Sequence, residues 1–219
     1  MATLIWKNVA IAMQSALAAP KTITAITKAT PGVATSVAHG YANGDYVRIT
    51  ANGMWQINAR VFRVCSVSAD NFGLEDVSSG VGISTANFDD FSSGAAEKIT
   101  FGTSITTATT MNVSGGNFAM IDTTTIHGNQ KSQIPGLPES LTATFDNLWD
   151  PTEAGQAAMK VASDVQSERA FKFQFGIGGK IMVFTGYVGF VGAPQGNAQD
   201  KVTSTAVITG SGTPTYYSA

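Results

Sequence analysis

Two histidines, one cysteine and one acidic pair are the residues with most to offer as chemistry. Neither His39 nor His127 has a second ligand at HxxxH or HExxH spacing, so a protein-only metal site is not expected. His39 lies in the turn cluster His39-Gly-Tyr-Ala-Asn-Gly-Asp45 and His127 in a polar stretch, so both read as solvated. Cys65 falls in an alternating strand pattern and reads as a small apolar core residue rather than a reactive thiol. Asp89-Asp90 reads as a solvated loop pair rather than a general acid and base. Phe175-Gly-Ile-Gly-Gly-Lys180 has the glycines of a phosphate-binding loop but not the GxxxxGK[ST] spacing, and a hairpin turn explains it. No GxSxG occurs, and the sequon Asn112-Val-Ser114 matters only in a eukaryotic secretory setting. The expectation is a protein that is not an enzyme, with no catalytic residue, cofactor or metal.

The elements that would position any site are strands. Thr, Val, Ile and Phe are common, helix formers are sparse, and 23 glycines punctuate the 219 residues. The charge balance is 13 Lys+Arg against 15 Asp+Glu, with charged residues only 13% and hydrophobic residues 43% of the chain. That excludes tight nucleic-acid binding by phosphate neutralisation, and it excludes disorder. A surface so poor in charge is a weak design for a soluble monomer, which points to cover by other subunits. The lone cysteine excludes an internal disulfide framework. Met1–Met13 is apolar and Ala16-Leu-Ala-Ala-Pro20 has a cleavage-site look, but there is no basic n-region and Lys7-Asn8 interrupt the run, so no signal peptide is expected. No stretch approaches the ~20 apolar residues that span a bilayer.

Along the chain, a first strand is expected over Trp6–Gln14. Residues 21–94 read as a compact unit of short strands, a small barrel or sandwich, including Thr22–Ile26, Gly32–Val37, Tyr46–Thr50, Val61–Val67 and Asn71–Glu75. Ser78–Gly94 reads as a loop. Strands resume at Lys98–Phe101, Thr109–Val113 and Phe118–Thr124; residues 125–138 read as a polar loop, and Leu141–Phe145 as a strand. Asp150-Pro-Thr-Glu153 predicts a helix with Asp150 as N-cap and Pro151 at the first position, and Ala154, Ala158, Val161, Ala162 and Val165 form its packing face. Phe171, Phe173, Phe175 and Ile177 alternate against polar residues, Gly178-Gly179 turns, and strands follow at Ile181–Val191 and Val202–Ile208. Residues 209–219 read as a tail, with Tyr216 and Tyr217 lacking an obvious packing partner.

The order of these features resembles the major tail tube proteins of long-tailed, siphovirus-like bacteriophages. The matching residues are Ile121-Asp-Thr-Thr-Thr125, Ile134-Pro-Gly-Leu137, Leu141–Phe145, Asp150-Pro-Thr-Glu153 with its helix, Phe184-Thr-Gly-Tyr-Val188 and Thr209-Gly-Ser-Gly-Thr213. The likeness covers residues 1–20 and 95–219. Residues 21–94 instead resemble the small FCCH-type β domain of ubiquitin-activating enzymes, through Ile23-Thr-Ala-Ile26, Pro31-Gly-Val33, Ala38-His-Gly40, Asn43-Gly-Asp45, Ile57-Asn-Ala-Arg60 and Asn71-Phe-Gly-Leu74.

The resemblance implies a mainly β fold: a tail-tube β-sandwich or barrel with one packed α-helix, and an inserted small all-β domain. It implies a structural virion protein, assembled in the host bacterial cytoplasm into the phage tail. Hexameric rings would stack into a tube that encloses the tape measure protein and conducts DNA during ejection without binding it, with tail terminator and tail tip proteins as further partners. Inter-ring contacts are expected from Ile126, His127, Asn129, Gln130, Lys131, Gln133, Pro135, Thr213, Tyr216 and Tyr217. On the inserted domain Tyr41 and Trp55 are the expected surface residues. Two other readings stay open: a monomeric β-rich adhesin or carbohydrate-binding protein, and a tail terminator or cap of the same fold.

Overall fold

The computed structural model describes residues 7–75, 77, 81–176 and 179–218. Met1–Trp6, Ser78–Gly80, Ile177 and Gly178, and the expectations that fall on them, lie outside those residues.

The first part of the chain runs through β1 (Val9–Met13), β2 (Ala16–Leu17), β3 (Lys21–Ile23), β4 (Ala25–Ile26), β5 (Val33–Thr35), β6 (Tyr46–Asn52), β7 (Arg60–Cys65), β8 (Asn71–Leu74) and β9 (Ser93–Thr100). It continues with β10 (Thr103–Ile105), β11 (Ala108–Ser114), β12 (Phe118–Asp122), β13 (Gln133–Pro138) and β14 (Thr142–Leu148). The helix α1 (Ala154–Asp164) follows, then β15 (Glu168–Phe175), β16 (Ile181–Gly189), β17 (Thr203–Gly210) and β18 (Thr215–Tyr217). The architecture is mainly β and antiparallel with one helix, as composition and pattern predict.

One sheet has the order β10-β1-β15-β16-β17-β14-β11, with β18 added beside β16. Laid flat, its seven-strand path would be roughly 29 Å wide at about 4.8 Å per step. Yet its two end strands, β10 and β11, are joined by Thr106-Thr107 alone, a link that reaches at most about 11 Å. The sheet must therefore roll up on itself. It encloses one core built from Ile11, Phe171 and Phe173 on one half and Phe145, Ala206 and Ile208 on the other, with Phe184 stacked 5.7 Å from Phe173. The alternating phenylalanines supply this core because period-two side chains share one face.

The second sheet has the order β2-β9-β6-β7-β8-β5-β4, and β3 also pairs with β9. Because β3 and β4 are separated by Thr24 alone, they act as one bent strand, bonded to β9 on one side and β5 on the other. The sheet closes into a small barrel around Val47, Ile49, Phe62, Phe72 and Leu74. Ser93–Thr100 belongs to this barrel, pairing along β6 from Ile99↔Tyr46 to Ser93↔Asn52.

The helix corrects the sequence reading in two places. Glu153, not Asp150, is the N-cap, accepting from Gln156 N at 2.7 Å and from Thr106 Oγ1 at 3.0 Å. Asp150 instead closes a turn, accepting from Thr152 N and Oγ1. The packed face is Gly155, Gln156, Met159 and Ala162, whereas Val161 and Val165 are exposed. The reason is close approach: a Cβ at Gly155 would sit 2.7 Å from the Ser104 carbonyl, so only glycine lets the helix lie this near β10. Gln156 tolerates burial because Thr107 Oγ1 and the Leu148 carbonyl accept from its amide nitrogen.

Candidate functional site

Three adjoining surfaces of the rolled sheet are unlike the rest of the molecule. The first is an edge. β11 pairs with β14 on one side and carries no partner strand on the other among the described residues. A cleft of about 680 Å³ opens between this edge and β1, lined by Val9, Ile11, Ile105, Ala108 and Met111. Among the described residues the small barrel, closed through β3 and β4, has only the two-residue β2 at the end of its sheet. An unpaired strand edge is a template for another chain.

The second is an arm. Residues 125–138, expected as a loop, are half of a hairpin: β12 pairs with β13, with Ile121↔Ile134 and Asp122↔Gln133 in register. The arm continues β11 and β14, since Gly116 N donates to the Glu139 carbonyl and Glu139 N to the Asn117 carbonyl. Sequence reading missed it because Pro135 and Pro138 break the strand pattern; neither has an N–H to offer, so β13 works only as an edge. At the tip Thr123 N donates to the Ser132 carbonyl, and Lys131 lies 3.7 Å from Asp122. Hydrogen bonds to Thr124 hold the Asp122 carboxyl below its ordinary range. Phe118, Met120, Ile121, Ile134 and Leu137 are exposed, and Ile126 at the tip is 96% exposed. A two-stranded ribbon alone is marginal in water, and a monomer rarely displays so continuous an apolar strip.

The third is a face. Across β11, β14 and β17 the register brings Thr110, Asp146 and Thr205 into one row, and Asn112, Thr144 and Val207 into the next. Ser114, Thr142 and Thr209 form a third row, extended by Tyr187 of β16. These side chains point away from the core that holds Ala143, Phe145, Ala206 and Ile208. Asp146 is the single charged residue among them. It accepts from Thr205 Oγ1 at 2.7 Å and Thr110 Oγ1 at 2.8 Å, and these hydroxyls, with Lys201 adding a smaller effect, hold its carboxyl below the ordinary 3.8.

The lowered Asp146 value has a sign. The unfolded chain takes up the proton first as pH falls, so the stabilisation is complete above the ordinary value and is lost as pH drops through the lowered one. Asp146→Asn should therefore lower stability at neutral pH and remove part of the fall in stability below about pH 4, so that the variant and wild-type curves converge at low pH. Chemical denaturation across that range, variant against wild type, checks it; superimposable pH slopes would refute it.

The residues singled out from sequence separate into two groups. Ile126, His127, Asn129, Gln130, Lys131, Gln133 and Pro135 all stand exposed on the arm. Thr213 and Tyr216 are exposed near the C-terminus, but Tyr217 is only 1% exposed. The expected tail of 209–219 is not free over its described residues, because β18 pairs with the start of β16, Ile181↔Tyr217; Ala219 lies outside them. On the small barrel Trp55 is 69% exposed, but Tyr41 is buried, its hydroxyl donating to the Ala96 carbonyl. Burial pushes the Tyr41 hydroxyl up to about 12, with Glu97 and Asp45 adding to the shift. His39, expected in solvent, is buried beside Tyr41 and Phe72; its Nδ1 accepts from Tyr41 N and its Nε2 faces the Ser68 carbonyl. Cys65 is buried, and burial pushes its thiol above the ordinary value.

The sequence profile of one family, described as phage tail tube protein, matches residues 52–219. No curated protein matches the chain. Among solved structures it is similar to one described as the tail of an empty GTA particle with C6 symmetry. The identity is 11%, the match covers 54% of this chain and 86% of that chain, and the TM-score is 0.42.

Proposed function

The chain belongs to the phage tail tube protein family, whose members are structural and not enzymatic, and from that premise we propose that it acts as the ring subunit of a tail tube. Its place is the virion tail. Copies close into hexameric rings by pairing along the open β11 edge, and rings stack through the arm at 118–138. The rings are assembled in the host cytoplasm around the tape measure protein, bounded by terminator and tip proteins, and later conduct DNA. The small barrel acts as a domain inserted into the tube fold; its strand pairing carries it beyond the expected bounds of 21–94, from β2 to the end of β9 at Thr100.

The observation that carries this reading is the continuous open edge from β11 into an apolar arm, in a molecule whose other barrel closes through β3 and β4 among the described residues. Ring closure satisfies every such edge at once, which a monomer cannot do. The hydroxyl face of β11, β14 and β17 suits the channel wall. The paired positions of these strands present no lysine or arginine to the phosphates, Asp146 repels them, and Lys201 beside Asp146 is the nearby cation.

Concentrating the purified protein and following it by light scattering and negative-stain microscopy tests the proposal. Rings or tubes are expected. A protein that stays monomeric at high concentration would overturn it, and a single capping ring that never elongates would favour a terminator role.

A further inference from the structure

The rolled sheet has two outward faces. One is the hydroxyl face. The other, on β15, the first half of β16 and β18, is apolar: Ala170, Ile181, Val183 and Tyr217. The small barrel covers it. Val61 and Ile99 of the barrel complete one buried cluster with these four residues, and Leu17, Tyr46 and Phe101 pack around it.

Polar contacts tie the same joint. Thr215 Oγ1 donates to the Val61 carbonyl at 2.6 Å, and Arg63 N donates to the Tyr217 hydroxyl at 2.9 Å. The Arg63 guanidinium lies 4.9 Å from the centre of the Tyr217 ring and is paired with Glu75 at 2.6 Å. Thr185 Oγ1 donates to the Ala59 carbonyl at 3.1 Å. Arg48 bridges the two bodies, bonding Glu97 of the barrel at 2.6 Å and Glu168 of β15 at 2.7 Å. The strand returning to the joint passes Ala59 at Gly212, where a Cβ would overlap the Ala59 carbonyl. The covalent links are short as well. Gln14-Ser15 joins β1 to β2, Phe101-Gly102 joins β9 to β10, and Gln14 is buried with its side-chain oxygen accepting from Ala170 N.

We infer that the small barrel is a fixed part of the subunit body, locked onto the outer face of the rolled sheet by the C-terminal strand β18, and not a swinging appendage. It is the cover that this face requires. The barrel covers β15 and the first half of β16, the hydroxyl face runs over β17, β14 and β11, and the two meet along β16 between Val183 and Tyr187. Where the ring reading holds, a barrel turned inward would block the channel, so it stands outside the tube wall at one orientation per subunit, and Trp55 is displayed at a regular spacing. The lock itself needs no ring, so it is tested on dilute, unassembled protein.

Backbone ¹⁵N relaxation of the full chain should give one rotational correlation time for both bodies. Tyr217→Ala, and a chain ending at Pro214, should give two correlation times with well-dispersed amide spectra, and faster proteolysis at Phe101-Gly102. Two correlation times in the wild type would overturn the inference, as would undivided tumbling in both variants. If the two variants do not fold, Tyr217→Phe decides. It keeps the ring and loses the hydroxyl contacts, so cleavage at Gly102 should accelerate; an unchanged rate overturns the lock. Failure of the wild type to form tubes would refute the ring reading and leave this result standing.

Discussion

Tubes built from Thr144→Lys protein will retain double-stranded DNA that wild-type tubes release. Thr144 lies mid-face, with Asn112 and Val207 as cross-strand neighbours and Asp146 two residues along β14. It is half-buried by other short side chains, so a lysine stem can lie along the sheet and keep its ammonium group in water. One substitution places one cation per subunit around every ring. With six to ten phosphates neutralised, affinity for a duplex falls by about 10³–10⁵ between roughly 50 and 200 mM salt, so the gained binding should collapse over that range. Co-sedimentation of a labelled duplex with sheared tubes reads this directly. Lysine placed at Trp55 is the comparison, since a cation outside the tube should leave DNA in the channel unaffected. If Thr144→Lys tubes retain no more DNA than wild-type tubes at low salt, the hydroxyl face is not the channel wall.

Ile126→Ser combined with Leu137→Ser should leave the subunit folded and stop tube growth. Ile126 is 96% and Leu137 84% exposed, so neither contributes to a core of the isolated chain. Their loss should change unfolding free energy by no more than about 0.5 kcal/mol. Burying each against another subunit is worth about 1.5–3 kcal/mol. That term recurs at every contact, so a small change per subunit becomes a large one per ring. Thermal unfolding and light scattering together separate the two effects. A lowered midpoint would mean that the arm packs within the subunit. Normal tubes at the wild-type threshold concentration would mean that the arm is not the stacking element.

The arm shows why the candidate site was only partly readable in advance. Its exposed residues are visible as a polar, Gly- and Pro-containing stretch, but its strand character depends on Ile121 meeting Ile134 across a turn. Proline argues against a strand unless one edge is known to be unpaired, and edges are a property of the sheet. The hydroxyl face was closer to legible. Thr142 and Thr144 alternate with Ala143 and Phe145, and Thr205, Val207 and Thr209 with Ala206 and Ile208. Period two assigns each strand a wet and a dry side. It does not say that three wet sides join, nor that Asp146 stands alone among them.

The amino-acid sequence by itself determined the β class, the phenylalanine-rich core, the presence of one helix and the poverty of charge. Each is a local or additive property: alternation, 3.6-residue periodicity, capping chemistry and composition. The tertiary structure alone decided which face of the helix packs, because Gly155 meets β10 at a distance no pattern encodes. It also turned His39 and Tyr41 inward, where Phe72 and the Ala96 carbonyl await them. And it made a lock of Tyr217, whose partner Arg63 stands 154 positions away. Interactions that distant arise only when the rolled sheet and the closed barrel are brought together. In this chain they separate the part that is sealed from the part left open to other copies.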